Sequence, residues 1–155
     1  MLNIEKISLT SWSYTKINRM DAINPYIGFN GRCQEAMNFY QACFGGELDL
    51  QTVDGSPMEQ YWPEGKGKIF HSSLMLNGKP LLMGSDMTGP NGQTPGDNIQ
   101  LAIGCTSEEE INTLFGKLGE GGKVLAPVSK MFWDALFGSV QDQFGINWML
   151  NYQTS

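Results

Sequence analysis

Two Gly-Gly pairs, Gly45-Gly46 and Gly121-Gly122, constrain the fold of this chain more than any other feature of its sequence. Each pair follows an apolar stripe with helical spacing and precedes a strand-like segment, as glycines just past a helix C-terminus do. The two pairs are separated by about half of the 155 residues. The sequence therefore predicts a degenerate tandem repeat of two similar units.

The first unit reads as one strand, one helix and three more strands. Alternating apolar residues predict a strand over 24–29, and Asn30 is placed to cap a helix from about Arg32 to Phe44. The further strands are predicted over 48–53, 69–76 and 80–85, with an Asn77-Gly78 hairpin turn between the last two.

The second unit repeats this order after a linker rich in Gly and Pro, residues 86–97. A strand is predicted over 98–104, and Ser107 with Glu110 forms a capping box before a helix that stops at Gly121-Gly122. Strands that begin at Lys123 and cover 131–140 and 145–152 complete it. The predicted fold class is α+β, with two βαβββ units (about 23–86 and 97–152) in a single domain, 23–155.

Residues 1–22 are rich in Ser and Thr and mildly basic, which predicts an N-terminal extension to an acidic domain. Ten Lys and Arg against 16 Asp and Glu give a net charge of −6, which argues against a nucleic-acid partner. No apolar run approaches the roughly 20 residues that cross a bilayer, so no membrane partner is expected.

Three cysteines without a secretory leader predict a cytoplasmic protein in which Cys33, Cys43 and Cys105 are small buried hydrophobes. The chain has a single histidine, His71. Metal sites that need two imidazoles therefore cannot be built from one chain.

Several segments, in this order and spacing, resemble the PhnB-like branch of the vicinal oxygen chelate superfamily, which contains glyoxalase I, extradiol dioxygenases and bleomycin resistance proteins. The segments that carry the resemblance are 25–29, 35–40, 44–48, 68–71, 82–86, Trp133 and 142–148. The resemblance implies that the two units form a curved eight-stranded mixed sheet around a ligand cavity, and that the protein is a homodimer.

The resemblance also implies where a metal would be bound, on the first and fourth strands of each unit. The residues at those places are Asn24, Met83, Asn98 and Met149, which are poor ligands for the metals of glyoxalases. We therefore expect no metal and no cofactor. Relatives sometimes carry a methyltransferase label, but no glycine-rich loop between a strand and a helix supports nucleotide binding here.

Strand alternation assigns Phe29, Ile99, Leu101 and Trp148 to the helix side of the sheet. Their neighbours along each strand therefore face the cavity. The inward face is then polar and mostly uncharged. Trp133, with Tyr61, Trp62 and Phe132, is placed near the cavity mouth, where binding and packing are about equally plausible. The predicted ligand-binding residues are Asn24, Tyr26, His71, Ser73, Met83, Asn98, Gln100, Trp133 and Met149.

His71 is the one candidate catalytic residue. It could act as a general base or single ligand beside Glu47, Asp49 or Asp86, or it could be a structural histidine held by hydrogen bonds. Our first hypothesis is a protein that binds a small organic molecule without the usual metal ligands. The alternative is a lyase, isomerase, dioxygenase or transferase that uses His71 and a nearby carboxylate, with or without a divalent metal. A protein-interaction module is a third hypothesis.

Overall fold

The computed structural model describes residues 21–154, which form eight strands and two helices. Most of the predicted N-terminal extension, residues 1–20, lies outside the described residues. The strands are β1 (Tyr26–Gly28), β2 (Glu47–Thr52), β3 (Ile69–Leu76), β4 (Lys79–Ser85), β5 (Leu101–Cys105), β6 (Lys123–Lys130), β7 (Ala135–Gln141) and β8 (Asn147–Gln153). The helices are α1 (Cys33–Phe44) and α2 (Glu108–Gly119), and two short 3₁₀ turns separate β2 from β3.

The two units have the same topology, which confirms the predicted tandem βαβββ repeat. The eight strands are divided between two four-stranded mixed sheets, ordered β1-β4-β3-β2 and β5-β8-β7-β6. In each sheet the first strand of the unit pairs in parallel with its fourth strand, and the other neighbours are antiparallel.

A single core joins the two units on the helix side of the sheets. The fully buried side chains of Met37 and Tyr40 on α1 belong to the same apolar cluster as those of Leu74, Ile111 and Leu150. This cluster buries the apolar stripe of each helix, which the sequence pattern predicts. Because successive side chains of a strand point to opposite faces, the other face of each sheet is available for polar side chains.

The turns confirm two local predictions. Asn77 and Gly78 have φ values of 52° and 74° at the β3–β4 hairpin, the conformation that an Asn-Gly turn favours. Ser107 accepts a hydrogen bond from the Glu110 N–H at 3.1 Å, as in the predicted capping box.

The predicted cap of α1 is wrong. Asn30 lies in a left-handed turn (φ 49°), and no side chain of the turn caps the helix. The buried carboxylate of Asp86 does so instead, accepting the N–H groups of Gly31 and Cys33 at 2.8 Å each. This partner lies more than 50 residues away, so the local sequence carries no sign of it.

Two strand predictions in the second unit begin too early. β5 starts at Leu101 rather than Asn98, and Ile99, predicted to pack against a helix, is 74% exposed. β7 starts at Ala135 rather than Met131, because residues 132–134 form a turn in which Asp134 has a positive φ. Both segments contain apolar residues that resemble a strand but find no neighbouring strand. Within residues 21–154, no helix is long and apolar enough to cross a membrane.

Candidate functional site

A patch of polar side chains covers the face of the first sheet that points away from α1. The strand register places Tyr26 beside Met83, Met83 beside Ser73, and Gln51 beside His71. Paired residues share a face of the sheet. We refer to this surface as the polar face; its members are Tyr26, Asp49, Gln51, His71, Ser73 and Met83.

The centre of the polar face is a contact between Tyr26 and His71. The Tyr26 hydroxyl lies 3.2 Å from His71 Nδ1, and the two rings stack with centroids 5.8 Å apart and planes 28° apart. Tyr26 is 52% exposed, so a small molecule can reach the pair. Because a hydroxyl and a neutral imidazole can each donate or accept, the pair can present either role to a ligand.

Two of the three carboxylates that could assist His71, Asp86 and Asp49, are engaged in other hydrogen bonds. Asp86, which the sequence placed among the candidates, is 5% exposed and accepts a third backbone N–H from Ile69 at 2.9 Å in addition to those at the start of α1. It therefore stabilises the junction of α1, β3 and β4. Asp49 accepts a hydrogen bond from Gln51 Nε2 at 2.9 Å. Within residues 21–154, no carboxylate forms a hydrogen bond to His71.

The four positions implied as metal-ligand places do not fit a divalent metal. Met83 lies within the polar face, whereas Asn98 lies in an exposed, irregular segment before β5. Met149 on β8 pairs with Ala102 and Ser139, and Asn24 precedes β1. Across the described part of the chain, no three His, Cys, Asp or Glu side chains converge on a common point.

Two clefts lie along the seam between the units. The first, of about 780 Å³, is mostly apolar and lies between β4, β5 and α2. The second, of about 860 Å³, lies between β1, residues 93–99 and the β7–β8 turn, and we call it the seam cleft. It is lined by Asn24, Tyr26 and Asn98 from the predicted ligand-binding set.

The structure thus divides the predicted binding residues among separate places. Tyr26, His71, Ser73 and Met83 share the polar face, and Tyr26 also lines the seam cleft. Gln100 is exposed just before β5, and Met149 lies in the second sheet. Trp133 is 46% exposed on the β6–β7 turn, where it packs edge to face on Phe132 at 4.7 Å.

A buried hydrogen-bonded cluster around Asp142 was not predicted. Asp142, 3% exposed, accepts hydrogen bonds from the Tyr40 hydroxyl at 2.7 Å and from Trp148 Nε1 at 2.8 Å. It also accepts the backbone N–H groups of Phe144 and Ile146. Helical and strand periodicity correctly place Tyr40 and Trp148 in the core, but periodicity does not show that their polar atoms share one acceptor.

Burial perturbs the titration of the core side chains. It raises the pKa of the Cys33 and Cys43 thiols to about 11, and it raises the pKa of Tyr40 above its ordinary value, with the nearby Asp142 adding to the effect. All three cysteines are free thiols; Cys33 and Cys43 are buried as predicted, and Cys105 is partly exposed. Thiols with a raised pKa stay protonated at neutral pH and are therefore poor nucleophiles.

Comparison with known proteins gives one family match and several close relatives. Residues 21–151 match the family model described as 3-demethylubiquinone-9 3-methyltransferase. The crystal structure of protein PA1353 from Pseudomonas aeruginosa is 36% identical, with a TM-score of 0.73, over 86% of this chain and 98% of that one. A Bacillus cereus structure titled putative 3-demethylubiquinone-9 3-methyltransferase, PhnB protein, is 30% identical, with a TM-score of 0.66, over 84% and 98%.

Among curated proteins, Protein YjdN of Escherichia coli is 27% identical over 141 residues, covering 83% of this chain and 93% of that one. A glyoxalase/bleomycin resistance protein/dioxygenase family enzyme from Burkholderia phytofirmans is 12% identical, with a TM-score of 0.55, over 84% of this chain and 95% of that one. This last similarity shows the shared fold alone.

The methyl transfer named in the family description implies a nucleotide-like methyl donor, and the two strand-to-helix connections do not fit one. Such a donor would use a glycine-rich loop and free N–H groups at the helix start. At α1 those N–H groups are bonded to Asp86, and at α2 the first turn carries Glu108, Glu109 and Glu110. With the family match over residues 21–151 and the two solved relatives, the chain belongs to the PhnB-like 3-demethylubiquinone-9 3-methyltransferase family, and it has the fold of the glyoxalase/bleomycin resistance/dioxygenase proteins.

Proposed function

We propose that this protein binds a small, uncharged, hydrogen-bonding organic molecule on the polar face, with Tyr26 and His71 as the central contacts. The observation that carries the proposal is the hydrogen-bonded, stacked Tyr26–His71 pair, which is accessible from solvent. A ligand hydroxyl or amide can insert between the two polar atoms or bond to either of them.

The neighbours of this pair support the same class of ligand. Ser73 supplies a hydroxyl, Gln51 a carboxamide and Met83 a flexible thioether that adapts to apolar groups of different shape. Of the two carboxylates on this face of β2, Asp49 is hydrogen bonded to Gln51, and Glu47 lies at the exposed start of the strand beside Met75. The residues available to a ligand are therefore mainly neutral, and we propose that binding does not require a metal at the four implied places.

The enzymatic alternative requires a base or a metal beside His71. Asp86 is committed to three backbone N–H groups, which leaves Asp49 and Glu47 as the acidic neighbours on β2. No contact of the described residues favours this alternative, and it stays a prediction. The homodimer and the cytoplasmic location expected from the sequence also stay predictions, and the free thiols support the latter.

Thermal unfolding with a panel of neutral phenols, amides and polyols, and separately with Mn²⁺, Ni²⁺ and Zn²⁺, tests the proposal. A compound that binds only the folded chain raises the melting temperature by mass action. We expect at least one neutral compound to do so, and both His71→Gln and Tyr26→Phe to reduce the rise. Asn38→Ala, which removes an exposed amide on α1, on the other side of the sheet, is the control and should keep the rise. A rise produced only by the metals, and lost in His71→Gln, would instead support the enzymatic alternative.

A further inference from the structure

The seam cleft differs in charge from the rest of this acidic protein. The chain has 16 Asp and Glu residues, yet none of those within residues 21–154 lines this cleft. The one charged residue of its lining, Arg32, forms a bidentate ion pair with Glu35, through Nη2 to Oε1 at 2.8 Å and Nε to Oε2 at 3.0 Å. The cleft therefore presents almost no net charge to a ligand.

Carboxamides are the main polar groups of the seam cleft. They come from the β1 side, from the segment between the units and from the start of β8: Asn24, Asn30, Gln93, Asn98 and Asn147. A carboxamide offers a donor and an acceptor side by side, which complements the edge of an amide or a lactam. Side chains of this kind bind neutral ligands without the desolvation cost of an ionised group.

The walls between these amides are apolar. Phe29, Phe144, Ile146 and Leu101 line the cleft, and the Phe29 and Phe144 rings meet edge to face with centroids 6.3 Å apart. The volume of about 860 Å³ lies within the range of about 300–1,000 Å³ that is typical of small-molecule sites. Apolar walls with a few converging polar groups are the usual composition of such sites.

One wall of the cleft is formed by the segment 93–99, which we call the strap; all of its residues except Asp97 line the cleft. A side-chain bond from Gln93 Nε2 to the backbone oxygen of Gly28 ties it to β1. Gly28 makes the contact possible, because a Cβ there would overlap the Gln93 amide. Every residue of the strap is exposed, so substitutions in it leave the core unchanged.

We infer that the seam cleft is a second binding site, separate from the polar face, which takes an uncharged planar molecule with an amide or lactam edge. The inference does not depend on the proposed function, since His71 does not line the cleft. Tyr26 contributes to both surfaces, and for this reason it is not used to distinguish them.

The test follows backbone and side-chain amide signals by NMR during titration with nicotinamide and with thymine, and in parallel with nicotinate as a charged analogue. We expect saturable shifts at residues of the strap and β1 with the neutral probes, and at least fivefold weaker binding of nicotinate. Asn98→Ala and Gln93→Ala should each weaken the binding of nicotinamide or thymine by at least threefold. Both residues are exposed, and the amide spectrum of each variant verifies its fold.

Two controls make the result specific. Asn38→Ala removes an exposed amide on α1 that does not line the cleft, and it should not change binding of the neutral probes. His71→Gln removes a side chain that does not line the cleft, although its partner Tyr26 does, so the neutral probes should still give saturable shifts at the strap. The inference is overturned if neither neutral probe gives saturable shifts, or if nicotinate binds as tightly as the neutral probes. It is also overturned if the shifts map to His71 and are lost in His71→Gln. That last result would place the ligand on the polar face and support the proposed function.

Discussion

The Tyr40 hydroxyl on α1 donates a 2.7 Å hydrogen bond to the buried carboxylate of Asp142, more than 100 residues away in the second unit. The ring of Tyr40 also lies 5.6 Å from that of Trp148, which donates to the same carboxylate oxygen. One acceptor thus links the helix of the first unit to the last hairpin of the second. The two repeats are therefore coupled through a specific polar contact within their shared apolar core.

Tyr40→Phe should reduce the free energy of unfolding by about 1.5–3 kcal/mol, the usual worth of a hydrogen bond to a charged group. The loss arises because Asp142 stays buried with one donor fewer. Urea denaturation monitored by tryptophan fluorescence measures it. Tyr61→Phe removes the hydroxyl from an exposed ring and should change stability by less than about 0.5 kcal/mol. Equal effects of the two substitutions would contradict this role of Tyr40.

Asp86→Ala should be among the more damaging single substitutions in the first unit. It leaves three buried or partly buried backbone N–H groups without their acceptor, at Gly31, Cys33 and Ile69. We expect a loss of about 2–4 kcal/mol, since each orphaned group costs about 1–3 kcal/mol before relaxation. Asp97→Ala, at an exposed position, is the control. Rapid amide exchange at Cys33 in Asp86→Ala would verify the cause directly.

Two glycines should respond in opposite directions to alanine. A Cβ at Gly84 would lie 2.6 Å from the Phe29 ring and 2.8 Å from the Ile27 oxygen, so Gly84→Ala should destabilise the β1–β4 pairing by about 1–3 kcal/mol. Gly116 is exposed within α2 with no neighbour in reach, so Gly116→Ala should stabilise the protein by about 0.5–1 kcal/mol. Thermal unfolding of both variants checks the pair; a stabilising Gly84→Ala would contradict the packing described.

Stability should fall at alkaline pH. The folded chain keeps Cys33 and Cys43 protonated up to a pKa of about 11, whereas the unfolded thiols ionise near their ordinary pKa of about 8.5. The folded state binds more protons in this window, so the free energy of unfolding decreases as pH rises through it. Tyr40, whose pKa is also raised, extends the decrease above pH 10.

Thiol labelling at pH 8 provides an independent check. Cys33 and Cys43 should react only as fast as the chain unfolds, while Cys105, which is partly exposed, reacts first. In concentrated denaturant all three should react at once. Rapid labelling of two or more thiols in the folded protein would contradict their burial.

The sequence predicted the order of elements because that order depends on local signals: alternation, helical stripes and Gly-Gly stops. The Asn77-Gly78 turn and the Ser107 cap were predicted for the same reason. Asp86 and Asp142 could not be assigned their roles, since their partners lie far along the chain. Ile99 was misplaced because alternation continues past the point where β5 still has a partner strand.

The candidate site was predicted only as far as it depends on local strand alternation. Alternation puts Tyr26, His71 and Ser73 on a common face, the family resemblance adds Met83, and the strand register agrees. The hydrogen bond between Tyr26 and His71, and the gathering of Asn24 and Asn98 in the seam cleft, depend on the register and on the path of the strap. Neither is encoded in a single segment.

The most direct test of ligand binding at the polar face uses the single histidine as its own reporter. His71 gives the one imidazole signal of the chain, and its Hε1 resonance can be followed while each neutral compound that raises the melting temperature is titrated in. We predict that this resonance shifts saturably in the unmodified protein and that Tyr26→Phe binds the same compound more weakly. An imidazole signal that stays unchanged with every such compound would contradict this prediction.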